Sequence, residues 1–295
     1  MRILPGIFVL FIFGLFLLSS CGTKNKPETI TTEVFEEDPS SNSGKVRLIF
    51  YNMYLPTESS KIFEKLGANY TPDILNPADN FSRYDNEAKI ALNLGVYGAD
   101  LSYCRIFNQN AAIAKYFTTV QLLYEKLGIP ATYFDDLYLG LEKYYSNKDS
   151  LARFATDVYE HADNYLRENQ NDAFAAMIIT GGWLESLYLA CKIAEAIPEN
   201  VEIRERISGQ KYSLNSLISV LSNYQENIVI TEYILMLKGL KKSFDKIDIY
   251  YNNDSFQLDT INKLISVSDY EIKFSPEVLK EITQSVSEIR SEIVD

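Results

Sequence analysis

From Ser82 onward, apolar positions recur every three or four residues, in stretches opened by capping residues and closed by glycine or proline. That spacing gathers apolar side chains on one helix face, and a row of such faces can be buried only against one another. Ser82 opens a helix expected to reach about Phe107, and a second runs from about Asn110 to Leu127, stopped by Gly128 and Pro130. Helices are also expected over Asp135 to Tyr145, Ser150 to Glu168 behind Asp149, and Ala173 to Ile197 between Asp172 and Pro198. A short helix over Glu199 to Ser208 leads to Ser213, which caps Leu214 to Tyr224; Ile228 to Ile247 and Leu258 to Ser266 follow. Ser275-Pro276-Glu277 is an N-cap followed by proline at the first helical position, and starts a last helix to about Val294. Tyr270 to Phe274 reads as extended, and Asp248 to Ser255 as a Tyr/Asn-rich loop. Ala68 to Phe81, with Thr71-Pro72 and Asn76-Pro77, reads as an ordered irregular loop. The expected class is all-α: a multi-helix bundle or an array of antiparallel helical hairpins.

Two of these helices resemble each other. Sliding the chain by 87 positions matches Asp85 with Asp172, Ala88 with Ala175, Gly95 with Gly182, Cys104 with Cys191 and Ile106 with Ile193. A duplicated helical hairpin accounts for the matches; chance is the alternative. Gly95 and Gly98 in one helix, and Gly181-Gly182 in the other, each cost about 1 kcal/mol relative to alanine. Close approach of a neighbouring helix, with Trp183 or a tyrosine against the glycine, would compensate. A kink lining a ligand cavity is the other reading, and makes Gly95, Gly98, Gly182 and Trp183 the candidate ligand-binding residues.

Composition removes several chemistries. Net charge is −12, with no basic stripe, so a polyphosphate backbone would be repelled and nucleic-acid binding is not expected. His161 is the single histidine, which rules out a multi-histidine metal site. Cys104 and Cys191 form no CxxC pattern and read as two buried thiols, a disulfide being the alternative. No metal or cofactor is called for. Asp100 and Glu185 are the acids most deeply set in apolar sequence, in Gly98-Ala99-Asp100-Leu101 and Trp183-Leu184-Glu185-Ser186-Leu187. Buried, each needs a partner such as Arg105, Lys192 or a tyrosine, or must keep its proton. Paired across facing helices about 5–9.5 Å apart, they could do acid/base work on a glycoside.

The N-terminus sets the expected address. Arg2 precedes an apolar run, Ile3 to Leu18, too short and too interrupted by Pro5, Gly6 and Gly14 for a comfortable membrane span but suited to a signal peptide. Leu18-Ser19-Ser20-Cys21 closes it and resembles the lipobox of bacterial lipoproteins. The resemblance implies that residues 1–20 are removed and that Cys21 carries lipid on its sulfur and amine, giving lasting membrane attachment. Gly22 in place of aspartate favours the outer membrane, and Thr23-Lys24-Asn25-Lys26-Pro27 the periplasmic face. Residues 21–45, rich in Thr, Glu, Pro and Ser, read as the acylated cysteine and a disordered tether, and 46–295 as one helical domain. The stretch Ala91-Leu92-Asn93-Leu94-Gly95-Val96-Tyr97-Gly98-Ala99-Asp100-Leu101-Ser102-Tyr103 is similar to an uncharacterised all-helical lipoprotein group of Gram-negative bacteria.

Three functions are carried forward. The first is a non-enzymatic, membrane-anchored helical module that binds an envelope protein or a small ligand. The second is a glycan-acting envelope enzyme using Asp100 and Glu185. The third is a bundle holding a ligand between its glycine-bearing helices.

Overall fold

The computed structural model describes residues 30–33, 67–130, 165–166, 171–251, 256–259, 264–267, 270–273 and 275–295. The segment expected to be a signal peptide, Cys21, His161 and the helix expected over 135–145 lie outside them, as does all but Tyr165 and Leu166 of the helix expected over 150–168.

The class is all-α. Six α-helices are described: α1 (Glu87–Ile106), α2 (Asn110–Lys126), α3 (Asp172–Ala196), α4 (Val201–Leu221), α5 (Ile228–Phe244) and α6 (Pro276–Val294). Short connections fold α1 onto α2, α3 onto α4 and α4 onto α5, the geometry of antiparallel helical hairpins. Asn86, Asn200, Asn227 and Ser275 cap α1, α4, α5 and α6 with side-chain oxygens, so the orphan N–H groups of those first turns find acceptors. Gly128, at φ 72, turns the chain out of α2, a conformation that costs glycine nothing.

Four short strands, β2 (Asp248–Tyr251), β3 (Phe256–Asp259), β4 (Leu264–Val267) and β5 (Tyr270–Lys273), separate α5 from α6. β2 and β5 pair antiparallel and enclose the β3–β4 hairpin, and β1 (Ile30–Glu33) adds to the other edge of β4. The helix expected over Leu258 to Ser266 is therefore replaced by strands, and β1 falls within the expected tether. Two further corrections concern helix starts. α1 begins at Asn86 rather than Ser82, because Ala78–Arg83 forms a separate 3-10 helix. α4 runs unbroken through Ser213, whose side chain is fully buried inside the array instead of capping a new helix.

α3 is the central element. It is long and apolar enough to cross a membrane, yet 78% of its apolar window is buried among the other helices. A helix apolar on all sides belongs in a core. It packs most extensively on α1, and α4 and α6 cover other faces of it.

α1 and α3 meet at their glycines. A Cβ on Gly95 would stand 2.0 Å from the Ile178 carbonyl oxygen and 2.5 Å from the Gly182 nitrogen; one on Gly181 would stand 1.9 Å from the Leu92 carbonyl oxygen. The partner filling the glycine gap is thus the facing backbone, not Trp183, whose indole is buried and donates to Gln210 Oε1 at 3.0 Å on α4. From the Gly95–Gly182 contact both helices run forward to the Asp100–Glu185 pair, so they run parallel there. Gly95 and Gly182, matched by the 87-residue shift, touch each other at the crossing. That is the contact a duplicated hairpin related by a pseudo-dyad would make.

Candidate functional site

Beyond the glycine crossing, toward the C-terminal ends of α1 and α3, the interface turns polar. Asp100 on α1 and Glu185 on α3 are both fully buried, and their carboxyl groups lie in hydrogen-bond contact. Arg290 reaches them from α6. Its Nε donates to Glu185 Oε2 at 2.6 Å and its Nη2 to Glu185 Oε1 at 2.9 Å, a bidentate fork. The same Nη2 donates to the Ile74 carbonyl at 3.2 Å, and the guanidinium lies 4.2 Å from the centroid of the Tyr188 ring.

The fourth wall is residues 67–86, a strap of turns and two 3-10 helices laid over α1, α2 and α6. It has little regular hydrogen bonding of its own, so its backbone groups are met by side chains from the helices. Asn76 is the hub. Its N–H donates to Asp100 Oδ2 at 3.1 Å and its carbonyl accepts from Tyr116 at 3.0 Å. Its Nδ2 donates to Tyr84 at 2.9 Å and to Asn93 Oδ1 at 3.2 Å, while its Oδ1 accepts from Asn80 at 3.0 Å. Tyr97 donates to the Pro77 carbonyl at 2.9 Å, and Tyr103 accepts from the Thr71 N–H at 3.1 Å. Asn93 also donates to the Ile293 carbonyl at 2.8 Å, tying α6 into the network.

Electrostatics follow from this burial. Loss of water lifts the Asp100 carboxyl well above the ordinary carboxylate range, and the Glu185 charge lifts it further. Burial also raises Glu185, but the Arg290 guanidinium opposes that by charge and by hydrogen bonds. Tyr84, Tyr97, Tyr103 and Tyr116 are all pushed upward, chiefly by burial, so the ring of phenols stays neutral and bonds as hydroxyls. Cys104 and Cys191 are buried free thiols, each pushed up to about 12 by burial. A thiol held there is not a nucleophile at neutral pH.

The sequence candidates divide accordingly. Asp100 and Glu185 are brought together, both fully buried in one polar cluster. Gly95 and Gly182 are in closed backbone contact, Gly98 is buried with its carbonyl bonded to Ser102, and Trp183 is core. Sequence reasoning names Arg105 and Lys192 as partners for the acids and misses Arg290 and Asn76; Lys192 pairs with Glu195 instead. Asn76-Pro77 is visible as a turn signal, while nothing local marks Arg290, which lies 105 residues beyond Glu185.

Comparison with family models, with curated proteins and with solved structures returned no match to this chain. Fold and site define a class by themselves: an all-α array of helical hairpins around a buried carboxyl–guanidinium cluster.

Proposed function

We propose that this chain is a lipid-anchored envelope lipoprotein, held to the outer membrane through Cys21, whose helical array is a non-enzymatic module binding a protein partner or a small ligand. The observation that carries the non-enzymatic reading is the bonding of Asp100 and Glu185. Both are fully buried, and they are bonded to each other, to Arg290 and to the strap. A glycosidase needs its two carboxyls on either side of the scissile bond, and here they touch. Ile228 and Leu235, seven residues apart on one face of α5, are 75% and 63% exposed and offer apolar contact to a partner.

Crosslinked pull-down of the lipidated protein from native membranes, beside Cys21→Ser, tests this reading. One envelope protein recovered stoichiometrically with the anchored form, and lost with Leu235→Glu, supports partner binding. Glycan hydrolysis abolished by Asp100→Asn would establish the enzyme instead.

A further inference from the structure

We propose that Asp100, Glu185 and Arg290 form a one-proton site: the carboxyl pair holds a single proton, on Asp100, and its loss sets two buried anions against one cation across the α1–α3 interface. Hydrogen-bond accounting places the proton. Both Glu185 oxygens accept from Arg290, which is how a carboxylate is held. Asp100 accepts one bond, from the Asn76 N–H to Oδ2, while its buried Oδ1 meets no N–H or O–H donor among the described residues. An acceptor left so would be an uncompensated buried charge. As a protonated carboxyl, Asp100 carries no charge to compensate and has an O–H to donate to the neighbouring Glu185 carboxylate.

Charge closure agrees. With Asp100 neutral, Glu185 and Arg290 cancel, and the buried cluster carries no net charge. The groups facing it from each packed element leave that balance alone. They are Tyr70 and Tyr84 from the strap, Tyr97, Tyr103 and Cys104 from α1, Tyr116 from α2 and Tyr188 from α3. Tyr70, Tyr84, Tyr97, Tyr103, Cys104 and Tyr116 are shifted upward and therefore neutral through the physiological range. Arg290, itself raised by Glu185, stays charged.

In the unfolded chain Asp100 loses its proton near the ordinary value of 3.8, whereas in the fold it keeps the proton well above that. Its contribution to stability is therefore complete below 3.8 and is lost as pH rises toward the folded value. Over that window one proton weakens the folding equilibrium about tenfold per pH unit.

The test is infrared spectroscopy of the full-length protein in detergent at about pH 7, where exposed acids are ionised, taken as the difference between H2O and D2O so that lipid ester carbonyls, which have no exchangeable proton, cancel, with urea denaturation across pH. A protonated-carboxyl C=O band is expected in the wild type and absent in Asp100→Asn. The isosteric amide is also expected to remove the tenfold-per-unit slope from the difference between the two stability profiles. No band in the wild type overturns the proposal, and needs no variant to be folded. A band retained in folded Asp100→Asn, or unchanged slopes, overturns it equally.

Discussion

The α1–α3 interface holds two regions a turn or so apart that solve opposite problems. At Gly95 and Gly181 the contact is backbone on backbone, closer than any side chain permits. At Asp100 and Glu185 it is all side chain, polar and charged, closed by a third helix and the strap. The first region needs nothing but the absence of two Cβ atoms. The second needs every partner present, because a half-satisfied buried network is worse than none. The comparison teaches that the same helix pair is specified sterically at one point and electrostatically at the next.

The sharpest way to break that contrast is at the crossing. Gly95→Val places a branched side chain into the Ile178 carbonyl, which cannot retreat without moving α3, and the cooperative thermal transition by circular dichroism is expected to disappear. Arg290→Met leaves Glu185 buried without its cation and is expected to cost about 3–5 kcal/mol in urea denaturation. Asn76→Ala removes one hydrogen bond each from Asn80, Tyr84 and Asn93 but leaves the ion pair, so a loss of about 1–3 kcal/mol is expected, together with faster hydrogen exchange in the strap. Gly239 sharpens the comparison from outside. It lies inside α5 with open space for at least 4 Å around the point a Cβ would occupy, so Gly239→Ala is expected to stabilise by about 0.5–1 kcal/mol in the same denaturation measurement.

The steric region is legible in the sequence and the electrostatic one only half so. Glycines inside apolar periodicity announce close approach, while the facing backbone that fills the gap is set by tertiary packing. Ser275-Pro276 and Gly128 mark their helix ends because capping chemistry is local. Asp100 and Glu185 stand out as acids in apolar runs, but their partners are set by tertiary contact. Arg290 looks like any cation of an amphipathic helix, and Asn76 like any turn residue. Ser213 fails as a cap for a related reason: in a helix crowded by two neighbours, a small hydroxyl fits the interior as well as a terminus. Of the strands between α5 and α6, Tyr270–Lys273 is read as extended, while β2, β3 and β4 escape because short runs of that length carry no decisive period.

Arg290 also imposes an order of events. Synthesis delivers the chain from its N-terminus, so Asp100 and Glu185 emerge long before the guanidinium that pairs with Glu185, 105 residues further on. Until α6 arrives, α1 and α3 can close over Glu185 only if it captures a proton of its own. The charge balance of the seam between two early helices is thus completed from the far end of the sequence.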